Sequence, residues 1–321
     1  MPPEDLARPL APNTHRFSPH LPVLALLLAT VFWGMGFTWA KAAGESLNAH
    51  AKLPPGAAMG PVLLLAARFG VGALVWFACF PSSRRGWTAQ SMGRGALLGF
   101  ILAIGLISQH LGLDRTSETV SAFLTNLTVI FVPLLVACIS RRWPHRRLAA
   151  AILMAAIGIY LMTGAAPQGF GYGEALGFAC SLLFSIYIVG LDRGSVGEDP
   201  VRLTGIQFLV VGAICLAASA GLARGRPLGF RFFWEDRAIL IEALLLILLT
   251  TVGAFGLMMR FQPSIDPTRA ALIYLAEPVV AAIWAWLIAG RSISLLAAVG
   301  ATLIVVANFL AGREGEREVD R

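Results

Sequence analysis

Apolar residues run through this chain in blocks, separated by short clusters of arginine, glycine and proline. About 20 such residues in a row can cross the ~30 Å hydrocarbon core of a bilayer as a helix. The pattern predicts ten spans, over 21–40, 61–80, 95–113, 119–139, 148–164, 174–191, 203–222, 238–260, 267–289 and 293–311. Residues 1–20 and 313–321 are polar, rich in proline or charge, and read as cytoplasmic tails. The first span lacks a small-residue cleavage site and is long enough to span, so it reads as a helix and not a removable leader.

The expected fold class is an all-α membrane protein of ten transmembrane helices in two inverted five-helix repeats. Phe32-Trp33-Gly34 at the end of the first span parallels Leu183-Phe184-Ser185, 151 residues later. Leu65-Ala66-Ala67-Arg68-Phe69 parallels Thr204–Phe208, and Ser121–Thr128 parallels Ala270–Glu277. An odd number of spans per half turns the second half upside down, the arrangement in which many secondary transporters build two gates around one site.

Composition agrees with a bilayer. The chain is 57% hydrophobic and 13% charged, with a mean hydropathy of +0.74. Soluble domains carry roughly 25% charged residues. The net charge of +7 could suit a nucleic acid, but the basic residues fall between apolar blocks, as topology signals do. Sixteen of them lie on the side of the termini and eight on the other, which predicts both termini in the cytoplasm and an inner-membrane, multi-pass protein. Cys79, Cys138, Cys180 and Cys215 stand singly in apolar runs and predict neither a disulfide framework nor a metal site. No cofactor is expected.

A carboxylate inside a span costs about 2.5 kcal/mol or more, so it faces a partner or a wet cavity. Glu277 is such a group, followed at once by Pro278, which removes a helix hydrogen bond. Glu277 is a candidate for binding a substrate amine, for proton coupling, or for stabilising a kink. Arg68 suits a substrate carboxylate, or snorkels to the nearer interface. His110, the histidine that falls within a span, can relay protons or simply pack. Asn126 and Thr128 can line a cavity or tie helices together. Trp33, Phe37, Tyr187 and Tyr274 can grip an organic substrate or mark the interface belt. Tyr274, three residues before Glu277, is expected on the same helix face. Glu174 and Glu242 lie near span ends and read as solvated. The pairs Gly95/Gly99 and Gly173/Gly177 suit close helix packing. Gly169–Gly173 follows no strand and has no lysine for a phosphate.

Trp33-Gly34 with Phe37 and Lys41, Ala67-Arg68-Phe69, Thr119–Pro133, and Ala270-Ala271 through Glu277-Pro278 to Gly290-Arg291 resemble the EamA-type drug/metabolite transporters. The resemblance runs over residues 21–312 and implies two tandem repeats, 21–166 and 172–312, in a ten-helix, exporter-like carrier. One departure is clear. Pro133 lies 9 residues before Arg142, but Pro278 lies 13 before Arg291, and Thr128 takes the position of Glu277. The expected function is a secondary carrier that exports a small metabolite, such as an amino acid or related amphiphile, by alternating access. Its partners would be that small molecule and membrane lipid, with no nucleic acid, and the protein would work as a monomer or homodimer. A lipid-translocating carrier of the same fold shares these features. A membrane-embedded transferase would need paired acids or a nucleophile with its base, and no span holds two acids.

Overall fold

In a computed structural model, described over residues 20–141, 146–163, 171–194, 197–225, 227–265, 267–289 and parts of 295–307, the chain is helical throughout. No strand occurs among the described residues. The helices are α1 (Leu21–His50), α2 (Met59–Cys79), α3 (Ala89–Leu113), α4 (Glu118–Thr125), α5 (Thr128–Ser140), α6 (Arg146–Thr163) and α7 (Tyr172–Gly194). They continue with α8 (Pro200–Ala223), the single turn α9 (Phe232–Glu235), α10 (Arg237–Leu245), α11 (Ala254–Phe261), α12 (Pro267–Tyr274) and α13 (Glu277–Ala289). A π-helical segment, Leu246–Gly253, joins α10 to α11 without a break.

Among the described residues, seven helical stretches are long and apolar enough to cross a membrane, counting 120–140 as one. Two shorter apolar helices, Ala149–Gly158 and Leu272–Ile288, fall in the fifth and ninth expected spans. The tails, Arg142, Gly169, Gly290-Arg291 and most of the tenth expected span lie outside the described residues.

Helix starts follow local chemistry. Thr88 and Ser91 form a capping box, with Ser91 N–H donating to Thr88 Oγ1 at 3.0 Å. Asp199 accepts from Val201 N–H at 3.0 Å, and Pro200 takes the first helical position, where its missing N–H costs nothing.

Three expectations about the spans are corrected. The first helix runs to His50, ten residues past its predicted end: Lys41–His50 holds no proline, and its one glycine, Gly44, lies inside the helix against Pro61. The spans 119–139 and 267–289 are not continuous: each is two helices joined by a tight turn, at 126–127 and 275–276. The span 238–260 carries the π segment, which an apolar run of Leu and Ile does not announce.

The core is built on α2, α3, α7 and α8. Gly212 of α8 lies so close to α2 that a Cβ there would meet Gly70 N at 3.0 Å, and Gly99 of α3 sits equally close to Gln207. Small residues let helix backbones approach, which replaces the hydrophobic driving force that lipid does not supply. Above these contacts Phe69, Trp76, Phe208 and Phe255 pack edge to face at 5.3–6.3 Å. On one flank α1 packs on α10, α11 and α13, and on the other α7 packs on α3, α4 and α5. The broken helices pack across each other, α4 on α13 and α5 on α12. Bulky apolar side chains such as Leu74, Leu97, Leu216 and Leu248 cover the exterior, as a lipid-facing surface requires.

Candidate functional site

A cavity of about 850 Å³, counting the space where it opens, lies between α1, α2, α3, α7, the π segment and the two helix breaks. Trp33, Arg68, His110, Asn126, Tyr187, Tyr274 and Glu277, all named from sequence, line this single cavity, and so do Phe37 and Thr128.

The two breaks set the acidic part of the wall. In the first, Leu127 N–H donates to Leu124 O at 3.2 Å, and α5 restarts at Thr128. In the second, Ala276 N–H donates to Ile273 O at 3.1 Å, and α13 restarts at Glu277. Pro278 therefore sits in the first turn of a new helix, where no hydrogen bond is lost, and not in a kinked continuous one. Tyr274 and Glu277 belong to different helices, yet both reach the cavity. Glu277 is 8% exposed. Asn126 Nδ2 donates to Ala122 O at 2.8 Å and lies 3.5 Å from Glu277 Oε2, at the outer limit of a hydrogen bond.

Gly34 brings α1 against this acid. A Cβ there would lie 2.9 Å from Glu277 O and 2.8 Å from Val280 Cβ. Any side chain at 34 must push the start of α13 away.

The basic part of the wall comes from α2 and α3. Arg68 does not snorkel: it is 6% exposed, and its Nε donates to Thr251 Oγ1 at 2.6 Å. Its guanidinium also lies 5.2 Å from the Phe69 ring centroid. His110, 4% exposed, bonds through Nδ1 to Leu106 O at 3.0 Å. A carbonyl only accepts, so Nδ1 carries the proton in the neutral ring and Nε2 is an acceptor. Nε2 is buried and has no protein partner. No ion pair among the described residues joins Arg68 to Glu277. Burying an unpaired charge is expensive, so two such groups on one wall call for a ligand or water between them.

The aromatic residues form the remaining grip. Tyr187 and Tyr274 are buried, not interface markers, and donate to Gln207 Oε1 at 2.7 Å and to Gln262 Oε1 at 2.5 Å. Trp33 stands edge-on to Tyr274 at 5.4 Å and to Phe255 at 5.7 Å, and its Nε1 donates to Thr250 O at 3.0 Å. Sequence reasoning missed Gln109, Gln207, Thr250 and Thr251. The available signal was two threonines side by side in an otherwise aliphatic run, and amides within spans.

Of the residues set aside, Glu174 caps its own helix by accepting from Gly171 N–H at 2.9 Å. Glu242, expected to be solvated, is half-buried, and its Oε2 has no protein partner. Beyond the end of α3, burial pushes the Asp114 carboxyl above its ordinary pKa, while Arg115 and Lys41 pull it down. Lys41 donates to Thr116 O at 2.6 Å, tying α1 to this connector.

A chain whose described residues form seven apolar helices long enough to cross a bilayer is a multi-pass membrane protein. Residues 171–313 match the EamA-like transporter family. An uncharacterized transporter of Archaeoglobus fulgidus is 26% identical over 188 residues, which is 59% of this chain and 54% of that protein. The match thus spans about half the length of that relative. One solved structure, described only as a crystal structure of a protein, is similar with a TM-score of 0.65 at 20% identity, covering 92% of this chain and 98% of its own. That likeness concerns the fold alone.

Proposed function

We propose that this protein is a secondary carrier that exports a small amphiphilic metabolite, an amino acid or a related compound, by alternating access. One observation carries the reading: an acid and a guanidinium with no ion pair between them line the same cavity, together with aromatic rings. Glu277 takes the substrate amine and Arg68 its carboxylate, while Trp33, Tyr187 and Tyr274 supply apolar contact and Asn126 steadies the acid. Glu277 also carries the coupling proton, with His110 as the relay. A proton and an ammonium group neutralise the same carboxylate, so one excludes the other, and the two can be exchanged across the membrane.

The ten helices form two inverted repeats in this reading, with both termini on the cytoplasmic side of the inner membrane. Helix pairings support it. The packing of α7 on α3, α4 and α5 has its counterpart in the packing of α1 on α10, α11 and α13, and α2 and α8 pair with each other. The match of 171–313 to a transporter family and the likeness to an uncharacterized transporter favour a carrier over a transferase.

Reconstituted vesicles test the assignment. Glu277→Gln, at wild-type abundance and with an unchanged unfolding temperature, is expected to lose proton-coupled flux of an amino-acid panel by at least about 100-fold, as expected when a group that binds both ligands is removed. Wild-type rates in that variant would refute the role of Glu277.

A further inference from the structure

The long helix α10–α11 leaves α-helical geometry over Leu246–Gly253. Such π turns are rare and survive where something holds them. Four hydrogen bonds do so here. Thr250 and Thr251 hydroxyls both donate to Leu246 O, at 2.7 and 3.0 Å. Trp33 Nε1 donates to Thr250 O, and Arg68 Nε donates to Thr251 Oγ1. In an α-helix a threonine bonds back to the carbonyl four residues earlier, which for Thr251 is that of Ile247. The π register sends it to Leu246, five residues back, and so turns its oxygen toward α2.

Arg68 can reach that oxygen because α2 comes close at Gly72, one turn further on. A Cβ there would lie 3.1 Å from Thr251 Cγ2. The Thr251 hydroxyl has one hydrogen and gives it to Leu246, so toward Arg68 it only accepts. Nε is thereby used up, and the two terminal nitrogens of Arg68 have no protein partner among the described residues.

We propose that Thr251, held in place by the π turn, is the positioning residue of Arg68: it fixes the guanidinium so that its two terminal nitrogens present a planar fork to the cavity, shaped for a carboxylate or a similar oxyanion of the substrate. A guanidinium fork binds such a group through two parallel hydrogen bonds, but only when its plane is set. The inference rests on the carrier reading for the identity of the anion, not for the placement of Arg68.

The test therefore needs no substrate. In the full-length protein with all four cysteines replaced by alanine, Leu106→Cys puts a thiol on the cavity wall beside His110. Its labelling rates by the anionic sulfonatoethyl and the cationic trimethylammonioethyl methanethiosulfonates report the local potential. A cation close to the thiol in a walled site is expected to favour the anionic reagent by about tenfold. Arg68→Gln should abolish that preference. Thr251→Val should cut it at least threefold, and Thr251→Ser, which restores the oxygen, should return it to within twofold of the parent. If Thr251→Val is not recovered folded, Gly72→Ala, which displaces the hydroxyl but keeps it, should halve the preference. An unchanged ratio in Thr251→Val or Gly72→Ala overturns the positioning role. No effect of Arg68→Gln, or no labelling of the thiol in any variant, overturns the anion fork itself. A failure of the vesicle assay on Glu277 leaves these ratios unaffected, so the two readings fail separately.

Discussion

The two broken helices, α4–α5 and α12–α13, differ less in shape than in chemistry. Both pause for two residues, both turn with hydrogen bonds to the third residue back, and both restart on the cavity wall. Only the second carries a proline in the restarted turn and an acid at its first position; the first has Thr128 there, and its Pro133 lies inside α5. Since the first breaks without either, the proline and the acid are not what makes the break. Pro278 is tolerated because a helix begins there. Glu277 is thus not required for the local fold of its segment, which weakens the reading of it as a prop for a kink.

The sharpest way to break the comparison is to make the same substitution at matched positions of α1 and α7. Gly34→Ala drives a Cβ into Glu277 O, and moving an engaged group by an ångström costs on the order of 100-fold in rate. Transport in vesicles should fall by about that factor. Ser185→Ala, 151 residues on, merely removes a hydroxyl bonded to Ser181 O, and should change transport less than threefold. Equal effects would dissolve the asymmetry.

A smaller loss is expected from Asn126→Ala. It removes the neutral partner that the first break lends to the acid of the second, and hydrogen bonds to charged groups contribute about 1.5–3 kcal/mol. The contact is long, so about tenfold in transport rate is the expected scale. Smaller again is His110→Ala: if its free Nε2 passes protons, the dependence of uptake on pH changes in the variant. An unchanged profile would mean that the ring only packs.

The smallest effect is set at the connector into the first broken helix. The raised pKa of Asp114 means that its carboxyl favours the fold below its unfolded pKa and withdraws that support as pH rises through the folded value. Asp114→Asn keeps the neutral form at every pH. The unfolding temperature should rise by less than about 2 °C at pH 7 and stay unchanged at pH 3. A loss of stability at pH 7 would contradict this sign.

Apolar block length made the spans legible in the sequence, and isolated polar residues within them marked much of the cavity wall, because burying such groups in lipid is costly enough to leave a trace. The breaks were not legible. Asn126-Leu127 and Leu275-Ala276 contain no glycine or proline, and an 18-residue stretch around the first is still apolar enough to read as one span. The π turn was hidden for the same reason: its stabilisation comes from Trp33 and Arg68, each more than 180 residues away along the chain. Glu242 was misplaced because nearness to a span end says little about which face a helix turns to the protein.

The most direct measurement is a profile of small metabolites in the medium of cells overproducing the wild-type protein, set against cells making Glu277→Gln at the same membrane abundance. A class of compounds bearing both an amine and a carboxylate should accumulate outside with the wild type and not with the variant. Indistinguishable media, or equal accumulation with both proteins, would contradict a carrier whose cavity works through this acid.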